Sequence, residues 1–489
     1  MTVYLVGAGP GDPGLVTVRG AELLARADVV VYDRLTASEL LDLTPAGCAL
    51  THVGKRPGAA SIDQAEINEI LVDLGRAHDC VVRLKGGDPY VFARGAEEAA
   101  ALAEAGVAYE VVPGITSAFA APAAAGIPVT MRYSSTHVTV VTGHEDPTKG
   151  RTEVNWEAIA AAGGTIVILM GVSRWGAISE RLLAGGLAPD TPAAAVHWGT
   201  TVDQVTVRAT LATLGQEDLR APSVIVVGAV AAQQLDWLGA KPLFGRRVVV
   251  TRAREQASYL AERLGDLGAE VVLAPTIAIE DPSDGGEALG ACVERLAVAR
   301  PEWVVFSSAN AVDRFVGALH DVRDLAGIEV AAIGPGTTGA LARHGLRTDI
   351  VPDRYVAEAL LEIFPAPSPG SGTVLIPRAE VARDVLVDGL GARGWSVEVV
   401  PAYRTVPVPP DPSMESAVRS ADAICFASSS SVSNFVAAYG DSVPPVVAAI
   451  GPITAARAEE EGLDVAVIPG SATIIAMADA LADHFARLG

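Results

Sequence analysis

The segment VVRLKGGDPYVFARGAEE, Val81–Glu98, sets the architecture expected of the first half of the chain. A short apolar strand (Val81, Val82, Leu84) runs into two glycines, an acid and a proline. A helix is expected from near Gly95, with Glu97 and Glu98 in its first turn. Such a turn bares backbone amides and one carboxylate at the C-terminal end of a strand, where open α/β sheets bind small molecules. Related junctions surround it: VGAGPGDPG at Val6–Gly14, VVVYDRL at Val29–Leu35, VGKRPG at Val53–Gly58 and VVPGITSAFAAPAAAGIP at Val111–Pro128. Apolar runs predict strands near 3–7, 28–32, 50–53, 80–84 and 108–112, separated by helical patterns such as Ile62–Gly75. A second series at 137–142, 165–169, 193–197, 204–208 and 223–228 predicts a further, more mixed α/β domain, with the break near Pro113–Thr116.

At about 150 residues per domain, 489 residues suggest three or four domains. Ala, Gly and Val dominate and aromatics make up 5%, which predicts closely packed helix–sheet layers of small residues. The net charge of −22 is shared between the halves, and no basic run stands out. Nucleic acid and anionic membrane are therefore poor partners, and an anionic substrate has to be met by locally placed arginines and backbone amides. Cys48, Cys80, Cys292 and Cys425 are isolated, which predicts neither a disulfide frame nor a metal site. Met1 leads directly into an apolar strand without a basic stretch, so the cytoplasm is the expected compartment. The longest uncharged stretch, Val111–Met131, is broken by Pro113, Gly114, Pro122, Gly126 and Pro128, and reads as loop–helix–loop instead of a membrane span.

Asp236–Arg247 (DWLGAKPLFGRR) reads as a joint, and an internal repeat begins after it. VVVTRA at 248–253 recurs as VLIPRA at 374–379, and VVFSSANAVDRF at 304–315 as ICFASSSSVSNF at 424–435. IGPGTTGALARHGL at 333–346 recurs as IGPITAARAEEEGL at 450–463. Two related α/β units are expected, punctuated by the Pro/Ser/Gly stretch Pro365–Gly372. The glycines after the first strand invite a dinucleotide reading, with Asp33 as a ribose-binding acid. The third glycine falls at 11 instead of 12, however, and two prolines interrupt, so a nicotinamide-linked oxidation is not expected.

Residues 1 to about 240 resemble the uroporphyrinogen-III C-methyltransferases of the tetrapyrrole methylase family. The resemblance runs through the glycine/proline opening loop, VVVYDRL, VGKR, the Gln64/Ile67 helix, RLKGGDP, PGITSA and TGH at 142–144. It implies two α/β subdomains, about 1–114 and 115–240, with S-adenosylmethionine folded between them and S-adenosylhomocysteine as its product. Methyl groups would go to C2 and C7 of the macrocycle, and a homodimer would form through this half. Carried onto this sequence, Pro10, Gly86, Gly87, Asp88, Val91, Thr116, Ser117, Met170 and Gly199 line the cofactor site. Asp33 and Lys55 are the implied proton acceptor and donor. Asp33 can equally cap a following helix, and Lys55 can pair with a substrate carboxylate. Uroporphyrinogen carries eight carboxylates, for which Arg34, Arg56 and Arg132 are candidate partners. The family often has a histidine before the last of these arginines; Met131 stands there instead.

Residues 248–489, after a linker at 241–247, resemble uroporphyrinogen-III synthase through VVVTRA, FSSANAV, IGPGTTGAL, IPRA, PAYRT and the paired FASSSSV and IGPITA blocks. The resemblance implies two related, flavodoxin-like α/β domains joined by a strand ladder, one from about 248–279 plus 404–489 and the other from 280–403. The implied reaction dehydrates hydroxymethylbilane, inverts ring D and closes the macrocycle, with no metal. Tyr403 matches the tyrosine that assists loss of the hydroxyl. Ser307, Ser308, Asn310, Ser428 and Ser429 follow strands and would offer donors to anionic arms. Thr337 and Thr454 begin helices whose terminal amides suit carboxylates. Arg252 and Arg378 would contact substrate or brace the fold, and each Ser or Thr has helix capping as its ordinary role.

The expectation is a bifunctional enzyme making precorrin-2, on the way to sirohaem or cobalamin. The alternatives are a methylase of a later corrin intermediate, or an active methylase carrying a non-catalytic tetrapyrrole-binding module.

Overall fold

The computed structural model describes all residues except 34–35, 55–61, 145–153, 252–253, 368–371, 410–411, 441 and 489; the side chains of 254–258 and 412–413 are also outside the description. Two compact units are present: Met1–Arg247 with Leu264–Glu270 and Ala482–Gly489, and Val248–Arg263 with Val271–Leu481.

The first unit opens with strands β1 (Thr2–Gly7), β2 (Val29–Tyr32), β3 (Ala49–His52), β4 (Cys80–Lys85) and β5 (Tyr109–Val112) in the order β3-β2-β4-β1-β5. All neighbouring pairs are parallel. After β1 the chain leaves toward β2, and after β4 it leaves toward β5. These opposite departures open a crevice at the C-terminal ends of β1 and β4, the topological switch point of an open sheet. Strand alternation sends Val3, Leu5, Val29, Val31 and Val81 to one face, against helices α1 (Gln64–Ala77) and α2 (Gly95–Glu104). Val6, Val30, Val82 and Leu84 go to the other face. Asp63 caps α1 by accepting from the Glu66 amide at 2.8 Å.

A second sheet follows: β6 (Val138–Thr142), β7 (Thr165–Leu169), β8 (Pro192–His197), β9 (Val205–Thr210) and β10 (Ser223–Val227), ordered β6-β7-β10-β8-β9. It is mixed: β6 and β7 run parallel, while β10 is antiparallel to both of its neighbours. Helix α3 (Ser117–Ala124) lies on it through Ala118 and Ala121, against Val167, Leu169, Val196 and Val226.

The second unit carries β11 (Arg247–Val250), β12 (Glu270–Leu273), β13 (Ile277–Glu280), β14 (Trp303–Phe306), β15 (Glu329–Ala332), β16 (Thr373–Ala379), β17 (Ser396–Pro407), β18 (Ala423–Phe426), β19 (Val446–Ala449) and β20 (Val465–Val467). Two sheets result, β12-β11-β18-β19-β20 and β13-β17-β16-β14-β15. Within them, β11-β18-β19 and β16-β14-β15 are the repeated sequence blocks in the same spatial order. The repeats are dealt crosswise: the first copy of the VVVTRA block pairs with the second copy of the next block, and the second copy with the first. The cores repeat as well. Phe306 meets Phe315 edge to face at 5.6 Å, and Phe426 meets Phe435 in the same way at 5.6 Å. The 12-residue β17 changes partner along its length: it runs parallel to β16 and then, over Arg404–Pro407, antiparallel to β13.

Candidate active sites in the two halves

At the switch point three loops meet backbone to backbone. Gly9 and Gly87 exchange hydrogen bonds, N to O at 3.2 Å and 2.6 Å, and the Ala8 amide donates to the Lys85 carbonyl at 2.7 Å. A Cβ on Gly114 would lie 2.3 Å from the Gly87 carbonyl oxygen and 2.7 Å from the Gly7 Cα, so glycine is required for that approach. Asp88 ties the loops together: its carboxylate accepts from the Gly114 amide at 3.0 Å and from the Tyr90 amide at 2.8 Å. Thr116 caps α3, accepting from the Ala118 amide at 3.3 Å.

The second sheet closes on the same place. The Asp12 amide donates to Thr200 Oγ1 at 3.1 Å, and a Cβ on Gly199 would lie 2.4 Å from Ala121 Cβ of α3. Met170, at the end of β7, has φ of 55° and is half-exposed. Among the described residues, the non-glycine positions with positive φ are Phe92, Arg94, Tyr133, Met170, Trp198 and Thr200. Phe92 and Arg94 follow the Asp88 turn and Trp198 and Thr200 adjoin Gly199, and such backbone strain persists where surrounding structure enforces it. The loops carrying Pro10, Gly86, Gly87, Asp88, Thr116, Ser117 and Gly199 are thus brought together. Val91 is half-buried on the turn after Asp88. Arg132 is exposed beside Tyr133, its guanidinium 6.0 Å from the ring centre.

Sequence reasoning missed a buried ionic cluster beneath this edge. Arg83 and Lys85 alternate on β4 and therefore share its α2-facing side. Glu98 of α2 is fully buried and meets Arg83 Nε at 3.2 Å and Lys85 Nζ at 2.8 Å, both on Oε1; Oε2 accepts no hydrogen bond. Gln64 of α1 reaches the same Oε1 at 3.4 Å. Arg83 also donates to the Val31 and Leu84 carbonyls, and its far nitrogen stands 3.5 Å from Asp33 Oδ2. Burial, then the neighbouring Arg83 guanidinium, hold the Lys85 ammonium below the usual lysine range, while Glu98 pulls the other way. Two cations at alternate positions of an apolar strand were the available signal. Asp33 does not cap the helical turn that follows, because that turn starts at Ser38 with Ala37 before it. Lys55, Arg34 and Arg56 lie outside the described residues, as does Arg252 in the second half.

In the second unit Tyr403 of β17 is buried, and its hydroxyl lies 3.1 Å from Ser308 Oγ. Ser308 caps α4 (Ala309–Ala318), accepting from the Ala311 amide at 3.2 Å. Its neighbours Ser307 and Asn310 are exposed and half-buried. In the repeat, Ser428 caps α6 (Ser429–Tyr439) in a reciprocal box with Ser431, and Ser429 donates to the Ile453 carbonyl at 3.4 Å. Thr337 and Thr454 stand in the first turns of α5 (Pro335–Arg343) and α7 (Pro452–Glu460), with both side chains buried. They pack inward, leaving helix-end amides as what those turns can present. Arg378 braces the chain: it donates to the Arg383 carbonyl at 3.2 Å and pairs with Asp384 at 2.7 Å. Among the described residues there is no cluster of acids, histidines and cysteines able to hold a metal, and no helix is long and apolar enough to cross a membrane.

The family model of the tetrapyrrole (corrin/porphyrin) methylases matches residues 2–215, and that of uroporphyrinogen-III synthase HemD matches residues 258–479. The chain is 37% identical over 413 residues to the porphyrin biosynthesis protein HemD of Ruminiclostridium josui, covering 82% of this chain and 81% of the relative. It is 53% identical over 232 residues to the S-adenosyl-L-methionine-dependent uroporphyrinogen III methyltransferase of Methanosarcina barkeri, covering 47% of this chain and 91% of the relative. Among solved structures, the uroporphyrin-III C-methyl transferase from Thermus thermophilus complexed with S-adenyl homocysteine is 40% identical. It covers 47% of this chain and 98% of its own, at a TM-score of 0.42. Two enzyme families of tetrapyrrole biosynthesis meet in one polypeptide: the chain belongs to the tetrapyrrole methylases through its first half and to the uroporphyrinogen-III synthases through its second.

Proposed function

We propose that the chain performs two consecutive steps, with the methyltransferase in residues 1–240 and the synthase in 248–489. The second half would dehydrate and close hydroxymethylbilane to uroporphyrinogen III with inversion of ring D. The first half would methylate that product at C2 and C7 to give precorrin-2. The observation that carries the reading is the meeting of the Gly7–Asp12, Gly86–Asp88 and Gly114–Ser117 loops with Gly199–Thr200 at the switch point.

The site fits S-adenosylmethionine. Gly87 holds φ of 70°, and a Cβ there would meet nothing closer than 3.9 Å, on the side of Thr116 and Ser117. Glycine turns leave room for a ligand to approach the backbone, and the α3 start offers amides to its carboxylate. When bound, the cofactor supplies an electrophilic methyl group on sulfonium. The surrounding residues have to hold both reactants in line, which supplies much of the rate. Methylation leaves the pyrrole ring cationic with the methylated carbon quaternary, so a proton must be lost from elsewhere on the macrocycle, for which Asp33 at the β2 end is the acceptor. Dimerisation through the first half belongs to the same reading.

In the second half the buried Tyr403–Ser308 pair offers an O–H to the departing hydroxyl of the bilane. Tyr403→Phe is expected to slow enzymic closure by about 10²-fold, and uroporphyrinogen I from spontaneous closure should rise in proportion. The whole reading is tested by giving the full chain hydroxymethylbilane with and without S-adenosylmethionine. Uroporphyrinogen III without the cofactor and dimethylated product with it are expected. Uroporphyrinogen I alone would make the second half a binding module, and failure to methylate supplied uroporphyrinogen III would reject the first assignment.

A further inference from the structure

Two sequence segments that share a task in the methylating half are joined by one buried carboxylate. Asp33 follows β2, and the Gly86–Asp88 turn follows β4. The register sets Tyr32 opposite Leu84, so Asp33 and Lys85 stand side by side at the sheet's C-terminal edge. Both charged strand ends are tied to Glu98, Lys85 directly and Asp33 through Arg83. We infer that Glu98 is a positioning residue for methylation: through Arg83 it orients Asp33, while Lys85 shares the same carboxylate oxygen and holds it in place. This rests on the reading of Asp33 as proton acceptor given above.

Four features support it. Glu98 is fully buried, so its charge serves no solvated surface. Its Oε1 takes all three contacts, from Arg83, Lys85 and Gln64, which places the donors around a single atom. Arg83 is fixed at several points, donating to the Val31 and Leu84 carbonyls as well, so it cannot swing without breaking strand-end contacts. With Asp33 included, two cations face two carboxylates, so the group is neutral overall. Such a network is costly to bury and is disrupted when one member is removed. A neutral apolar cluster would hold α2 to the sheet equally well, but it would not orient a carboxylate at the sheet edge.

The test is steady-state methylation of supplied uroporphyrinogen III by the full chain carrying Glu98→Gln, Asp33→Asn or both, with S-adenosylhomocysteine affinity measured by calorimetry. Glu98→Gln should lower kcat by about 10²-fold, the scale of loss from a misplacement near 1 Å. Both KM values and the calorimetric affinity should stay within about twofold of the parent. In the Asp33→Asn background, adding Glu98→Gln should change kcat by no more than about twofold, since residues acting as one unit are non-additive. An unchanged kcat in Glu98→Gln overturns the inference. So do effects that multiply, or a loss confined to cofactor binding. Full activity of Asp33→Asn rejects the proton-acceptor reading itself, a result distinguishable from the others. Should Glu98→Gln fail to fold by circular dichroism, Glu98→Gln with Lys85→Met restores neutrality, and the same readings apply.

Discussion

Asp33→Asn is expected to lower kcat for methylation by about 10²–10⁴-fold, the range lost with a positioned proton acceptor. Asparagine keeps the size and one carbonyl oxygen, so Thr36, whose hydroxyl lies 3.5 Å from Asp33 Oδ1, retains a partner. Arg83 keeps Glu98 and its two carbonyl acceptors, so the sheet edge should remain folded. What is lost is the negative charge able to accept a proton from the alkylated macrocycle. The expected signature is a fall in kcat with KM for both reactants little changed, because the interaction matters in the transition state more than in the ground state. Rates measured with supplied uroporphyrinogen III isolate this step, and bilane closure by the second half should be unaffected. A variant with parental kcat would remove Asp33 from the chemistry.

Gly114→Ala is expected to be among the most damaging single methyl additions in the first half. The added carbon would sit 2.3 Å from a carbonyl oxygen and 2.7 Å from the Cα of Gly7. Both obstacles are backbone, which cannot rotate away, so the β1, β4 and β5 loops must separate. Overpacking of this kind costs about 1–3 kcal/mol in stability. The functional cost should be larger: these loops make up the proposed cofactor cradle, and the displacement also strains the Gly114–Asp88 hydrogen bond of 3.0 Å. Methylation should fall by at least about 10²-fold, with weakened S-adenosylhomocysteine binding by calorimetry. Thermal unfolding followed beside activity separates the two effects. A variant with parental affinity would place the ligand elsewhere.

Much of this was legible in the chain. The apolar runs near 3–7, 80–84 and 108–112 are the strands Thr2–Gly7, Cys80–Lys85 and Tyr109–Val112. The loop–helix–loop reading of Val111–Met131 corresponds to α3 with Thr116 before it. Glycine and proline at strand ends marked the edge where the loops meet, because turns of positive φ or close backbone approach tolerate few other residues. Less visible was the work of charged residues inside strands. Arg83 and Lys85 of β4 are both buried, committed to Glu98 fifteen and thirteen positions away. Thr337 and Thr454 stand in the helix starts expected of them, but the burial of their side chains was not legible, for a related reason. A helix start can be read from Ile-Gly-Pro, but which side of that first turn faces the core depends on what packs over it.

Local sequence determined the alternation of strands and helices, the glycine loops and the internal repeat, since each follows from side-chain periodicity and backbone freedom within a few residues. Tertiary structure alone decided three other matters. It dealt the repeats crosswise, so that β11 pairs with β18 and β16 with β14. It brought Gly11–Asp12 against Thr200–Thr201, some 190 residues on. It also gathered Arg83 and Lys85 around the Glu98 carboxylate, with Asp33 reached through Arg83. Strand pairing and charge burial are settled by which surfaces exclude water together, and that is a property of the packed chain, not of any segment within it.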